Sequence, residues 1–254
     1  MQSMLVNHGI TLTMNRKSSI RRYVNDMEDI VKAYSIGGYS QPQIIPLPDD
    51  LDPEIPRMMF TAREGHSQVL VSQLAVAFNV NYSPDWASQP QRCLEYLQSK
   101  IEMLFKIAHA GWDEAQPRFS GVVTTFQFDV DHASDAIGIV APSFTESQRL
   151  LKEAGELSYR WSLGIGDEIY QNIAVSTLMR LKSSIKGSVD TIPKFNPRTV
   201  EGYGVEVKAD LNDRLAYNFR DDYESSEGAV RKLAVKGFET TSDVVSLLLK
   251  RVIS

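Results

Sequence analysis

The chain has 254 residues, of which 43 % are hydrophobic and 23 % charged, with a formal net charge of −5. That composition is ordinary for a globular chain, and the acidic balance argues against a protein that coats nucleic acid or an anionic membrane without specificity. The length suits one large domain or two small ones, at roughly 100–200 residues each, and Cys93, the single cysteine, excludes an intrachain disulfide and reads as a small buried hydrophobe.

Residues 1–15 lack a charged stretch followed by an apolar one, so no secretion signal is expected. No apolar run approaches the ~20 residues that span a bilayer. A cytoplasmic, reducing compartment is the expectation. Ile10, Leu12 and Met14 alternate with polar residues and predict a first strand. A helix follows, capped at Ser18 or Ser19, with Ile20, Val24, Met27, Val31 and Tyr34 on one stripe and Gly37-Gly38 as its stop. Residues 41–56 combine Pro42, Pro46, Pro48, Pro53 and Pro56 with Asp49, Asp50, Asp52 and Glu54, which predicts an extended loop.

Residues 57–62 and 69–82 read as two strands around a turn at Glu64-Gly65. The second is long, with Leu70, Leu74, Val76, Phe78, Val80 and Tyr82 on one side, so a bend or bulge is expected within it. Met58, Met59 and Phe60 are consecutive, so at least one must point away from its own core face. Ser88 and Pro90 open one helix whose stripe runs Leu94, Leu97, Ile101, Leu104, Phe105 and Ala108, with Gly111 at its end. Residues 119–131 form a strand, and Ser143 with Glu146 predicts a capped helix to about residue 156.

Strand alternation returns in Tyr159, Trp161, Leu163 and Ile165, and again from Ile173 to Leu181. Residues 204–211 and 214–219 read as a hairpin across Asn212-Asp213, and a closing helix begins near Ser225 or Ser226, with a break at Gly237. The fold class expected is α+β: mostly antiparallel, half-buried sheets backed by amphipathic helices. The element order suggests two similar halves, 1–138 and 139–254, or one continuous domain.

The run Ile55-Pro56-Arg57-Met58-Met59-Phe60-Thr61-Ala62-Arg63-Glu64-Gly65, continued by residues 69–73 and Phe78-Asn79-Val80-Asn81-Tyr82, resembles a sporadically distributed, uncharacterised bacterial protein family. That family has a Pro-Arg strand, an acidic-Gly turn and a Phe-Asn strand. The usual Trp-Arg ending is absent here. The resemblance implies an α+β cytoplasmic protein and supplies no catalytic residues; its patchy distribution is typical of mobile or defence loci.

For chemistry, Glu206-Val207-Lys208 is the best pattern. Restriction-type nucleases use an upstream Asp with E-x-K to hold Mg²⁺ and orient water. Asp190 is the candidate acid, against a plain solvated hairpin face. Asp129, Asp131 and His132 offer two carboxylates and an imidazole for a divalent ion, or the wet end of a strand. Arg180, Lys182, Lys186, Lys194 and Arg198 would make an anion or nucleic-acid patch if they converge. Arg16, Lys17, Arg21 and Arg22 crowd the first helix in the same way. His8, His66 and His109 have no metal-ligand spacing, and Gly164-Ile165-Gly166 reads as turn chemistry. With no convergent catalytic set, the leading expectation is a non-enzymatic protein without a cofactor that binds another protein or its own copy. The alternatives are a Mg²⁺ nuclease and a nucleic-acid binder; no membrane partner is expected.

Overall fold

A computed structural model describes residues 2–34, 38–113, 115–141, 156–181 and 200–253. Period-two patterning dominates it, as expected. The strands β1 (Ser3–Thr13), β2 (Gln43–Ile44), β3 (Met58–Thr61), β4 (Ser67–Val71), β5 (Ala75–Asn81), β6 (Phe119–Val130), β7 (Ser158–Ile165), β8 (Ile169–Leu181) and β9 (Val200–Asn212) form one sheet. Its order is β2-β3-β4-β5-β1-β6-β9-β8-β7, and every pairing is antiparallel.

One face of the sheet carries the apolar residues: Ile10 and Leu12 on β1, Val76 and Phe78 on β5, Phe126 and Phe128 on β6, Val207 and Leu211 on β9. Burying a side chain such as Phe126 contributes roughly 2–3 kcal/mol of transfer free energy. Helices cover that face. A 3-10 turn at Ile20–Tyr23 leads into α1 (Val24–Ala33), and the short α2 (Pro84–Ala87) precedes α3 (Pro90–Ser99) and α4 (Ile101–Gly111). Beyond β6 come α5 (Ala133–Val140), α6 (Arg214–Phe219) and the long α7 (Glu227–Ile253). Helix α4 packs on β1 and β5, and α7 on β6 and β9. No helix among the described residues is long and apolar enough to cross a membrane.

Four local expectations are corrected. Residues 69–82 are two strands, β4 and β5, joined by a turn in which Ser72 Oγ accepts the amides of Leu74 (3.1 Å) and Ala75 (3.0 Å). The turn resets the phase: odd residues Val69 and Val71 face the core before it, even residues Val76, Phe78 and Val80 after it. The helix expected over 90–111 is broken at Lys100, whose buried ammonium donates to the Tyr34 carbonyl (3.3 Å) and lies over the Tyr96 ring. A tertiary anchor makes that break; no glycine or proline stands there. Residues 214–219 are helix α6, not a hairpin strand. Finally, α7 runs unbroken through Gly237. A Cβ there would stand 3.3 Å from Thr124 Oγ1, so the glycine lets the helix lie close on β6.

Met58 and Phe60 are buried, leaving Met59 on the opposite face. The proline-rich loop is tied down. Arg57 is fully buried, and its guanidinium donates to the carbonyls of Ile55 (2.7 Å), Leu51 (3.1 Å), Asp52 (3.2 Å) and Pro48 (3.4 Å). Arg21 binds the Ile45 and Leu47 carbonyls and pairs with Asp49. The helix expected from Ser143 lies outside the described residues.

The element order repeats. Apart from the two-residue β2, the series strand, helix, three strands, helices runs from β1 to α4 and again from β6 to α7. The two series meet between α4 and β6, and they join through the central β1–β6 pair. After β5, the Tyr82 amide donates to Val6 O (2.9 Å); after β9, the Asp213 amide donates to Ser120 O (3.1 Å). This equivalence maps Gly9 onto Val123, which is its own cross-strand partner. A pseudo-two-fold axis therefore passes through that pair.

Candidate functional site

The sheet face opposite the helices bears the E-x-K pair. Glu206 and Lys208 sit on it together, as the alternation requires, with Lys208 exposed. Gln127 stands directly across from Glu206 and donates Nε2 to its Oε2 at 2.8 Å. Arg180 reaches over β9 from β8 to β6, pairing with the Asp129 carboxylate and donating to Gln127 Oε1 at 3.2 Å. It crosses where β9 has no side chains: Arg180 is opposite Gly202, and Asp129 opposite Gly204. The result is a cross-strand ladder of half-exposed polar groups. An ion pair this wet contributes less than about 1 kcal/mol.

Close approach of backbones fixes Gly204. A Cβ added there would lie 2.6 Å from the Phe128 carbonyl oxygen. We expect Gly204→Ala to cost about 2 kcal/mol by forcing β9 away from β6. Denaturant unfolding monitored by circular dichroism measures it, and an unchanged midpoint would refute the tight approach.

The other sequence candidates disperse. Asp129 is held by Arg180, Asp131 is exposed beyond the end of β6, and His132 starts α5, its amide donating to the Asp135 carboxylate at 3.1 Å. No group of three or more His, Cys, Asp or Glu among the described residues is placed to hold a metal ion. Asp190, Lys182, Lys186, Lys194 and Arg198 lie outside the described residues. In the N-terminal basic group, Lys17 pairs with Asp113 and Arg16 donates to Gln73 and to the Asp49 carbonyl. Cys93 is buried, and desolvation pushes its thiol up to about 11.

Two features escaped the sequence reading. The first is a buried carboxylate, Asp213, where β9 turns into α6. It accepts the Ser120 amide (2.5 Å), Ser120 Oγ (3.1 Å), Ser225 Oγ (2.5 Å) and Tyr223 Oη (2.8 Å). Burial and the Asp213 hydrogen bond both push the Tyr223 phenol up. Ser120 and Ser225 meet this carboxylate directly, with no imidazole between to act as base, so the cluster joins elements and activates no nucleophile.

No family model matches the chain, and no curated protein matches it. Among solved structures, the di-domain ARO/CYC StfQ from the steffimycin biosynthetic pathway is similar over 97 % of each chain, at 9 % identity and a TM-score of 0.22. A likeness that low carries no argument.

The second missed feature is the free edge at β7. Its pattern of Tyr159, Trp161, Leu163 and Ile165 marks a strand with one apolar side. Among the described residues that side is covered only in part: Trp161 packs against the core, while Tyr159 is 46 % and Leu163 49 % exposed. Strand β7 pairs with β8 on one flank, and among the described residues no strand pairs with the other. On an edge strand, alternate N–H and C=O groups point outward and invite a further strand. Arg160 is its sole charged residue.

Proposed function

We propose that this protein is a non-enzymatic subunit that associates through strand β7, joining its sheet to that of a second copy. The observation that supports the reading is the eight-residue edge, Ser158–Ile165, with its backbone hydrogen-bonding row and its exposed Tyr159 and Leu163 on one face. Strand addition uses the main-chain row for affinity and alternate side chains for specificity. Two β7 edges related by a two-fold axis are self-complementary. The chain already uses that union internally, where β1 and β6 meet antiparallel about the pseudo-two-fold axis. The nuclease reading has less support, because Glu206 is engaged by Gln127.

Light scattering coupled to size-exclusion chromatography tests this. Wild type is expected to run as a dimer or larger at micromolar concentration. Tyr159→Lys with Leu163→Lys should yield a folded monomer, since inward-facing lysines block edge pairing. A wild type that is monomeric at every concentration overturns the proposal, as does a double variant that still assembles.

A further inference from the structure

Far from β7 in the sheet order, the β3–β4 turn, the end of β5, Trp86 of α2 and Tyr96 of α3 enclose a cleft of about 380 Å³. That lies within the usual range of small-molecule sites, roughly 300–1,000 Å³. Three rings wall it. Tyr82 and Trp86 are stacked with an interplanar angle of 11°, and Tyr96 meets both edge-on, with ring centroids at 6.4 and 5.7 Å. The rings are held from behind. The Arg92 guanidinium lies 3.9 Å from the Trp86 ring centroid, and Lys100 lies over Tyr96. The Tyr82 hydroxyl donates to the Cys93 carbonyl at 2.9 Å.

Ser67 and Tyr96 line the cleft, and the buried Tyr39 hydroxyl stands behind them. Ser67 Oγ stands 3.2 Å from Tyr39 Oη and 3.4 Å from Tyr96 Oη. Three hydroxyls bring three protons, and their two mutual bonds use two of them. One O–H therefore remains to be donated. Burial pushes the Tyr39 phenol up to about 12, so the group keeps its proton at neutral pH. At the mouth, Arg63 and His66 are exposed on the β3–β4 turn beside Glu64. A planar guanidinium there can lie over a flat ligand.

Partly exposed aromatic walls around a small set of convergent hydroxyls are what a recognition site for a flat molecule requires. We propose that this cleft binds a planar aromatic or heteroaromatic small molecule bearing a hydrogen-bond acceptor, the ring lying against Tyr82, Trp86 and Tyr96 and the acceptor taking the hydroxyl proton of the Tyr39–Ser67–Tyr96 trio. The site is independent of β7, so either can fail without the other.

Quinolin-2-one, a flat bicycle with one carbonyl acceptor, is the probe, and its fully saturated analogue is the control. The full chain is titrated while the indole N–H resonance of Trp86 is followed by two-dimensional NMR and assigned with Trp86→Phe. The flat probe is expected to shift that resonance saturably, and the saturated one to bind at least about tenfold more weakly. Ser67→Ala combined with Tyr96→Phe removes both hydroxyls that line the cleft and keeps the ring. It should weaken binding by about tenfold while leaving the thermal midpoint near that of wild type. No shift of Trp86 up to the solubility limit overturns the proposal. So does equal binding of the two probes, or a double variant that binds as wild type does.

Discussion

Asp213→Ala should cost about 4 kcal/mol of folding stability, the largest single effect expected of any side chain outside the apolar core. The carboxylate is buried and accepts four hydrogen bonds, from the Ser120 amide and hydroxyl, the Ser225 hydroxyl and the Tyr223 phenol. Those donors come from the start of β6 and from the segment that enters α7. The residue itself stands where β9 ends. Truncation removes four charge-assisted bonds and strands two buried donors, the Ser120 amide and one of the two serine hydroxyls, which otherwise bond each other at 2.7 Å; each adds a penalty of roughly 1–3 kcal/mol where water cannot replace the acceptor. Asp213→Asn keeps the shape but turns one acceptor into a donor facing donors, and should lose about half as much. Ser225→Ala removes one bond of the four and should cost about 1 kcal/mol. Urea unfolding of the three variants orders them. An alanine variant within 1 kcal/mol of wild type would mean that the cluster does not hold β6, β9 and α7 together.

The alternation that gives β6, β8 and β9 their faces was legible because each strand is covered on one side only, so burial writes itself into every second residue. At three of the four places where the pattern misled, a polar side chain had intervened: Ser72 with Gln73, Lys100 and Asp213. Residues 69–82 looked continuous because the turn at Ser72-Gln73-Leu74 has no glycine or proline. What turns the chain is Ser72 Oγ accepting two amides, with the Gln73 side chain buried and donating to the Asp49 carbonyl at 3.0 Å. Asn212-Asp213 looked like a hairpin turn, yet Asp213 is held by Ser120, ninety-three positions away. Local pattern cannot carry that information.

The same limit applies to function. The sidedness of Glu206 and Lys208 was readable from period two, but their partners were not. Arg180 was read as one of a basic set, and only the sheet shows it crossing the bare backbone of Gly202 and Gly204 to reach Asp129. That Tyr159 to Ile165 is a strand was legible; that it is an edge depends on the order of the nine strands among the described residues. Tyr82, Trp86 and Tyr96 come from a strand end, a short helix and a longer one. Their convergence is a property of the fold, and no spacing in the sequence announces it.

The second large effect is acid sensitivity, and it comes from His8. This residue is fully buried in β1, and its Nδ1 lies 3.1 Å from Tyr82 Oη. The Tyr82 proton is committed to the Cys93 carbonyl, so Nδ1 must carry a proton and donate, which leaves Nε2 bare and without a partner. Desolvation pulls the imidazole from 6.5 down to about 3. Above pH 6.5 the ring is neutral folded or unfolded, and stability is complete. As the pH falls below 6.5 the unfolded chain takes up a proton that the folded one refuses, and stability drains away down to about pH 3. Between about pH 7 and pH 5 the loss should be about 2 kcal/mol, at up to about 1.4 kcal/mol per pH unit. Neither neighbour titrates there, since burial raises both the Tyr82 phenol and the Cys93 thiol. His8→Gln retains a donor toward Tyr82 and removes the titration. Its stability at pH 7 should fall modestly, but its unfolding free energy should be nearly flat over the same interval. A Gln variant with the wild-type slope would place the acid sensitivity elsewhere, and would show that His8 is not the rigid, uncharged support behind the Tyr82 wall of the cleft.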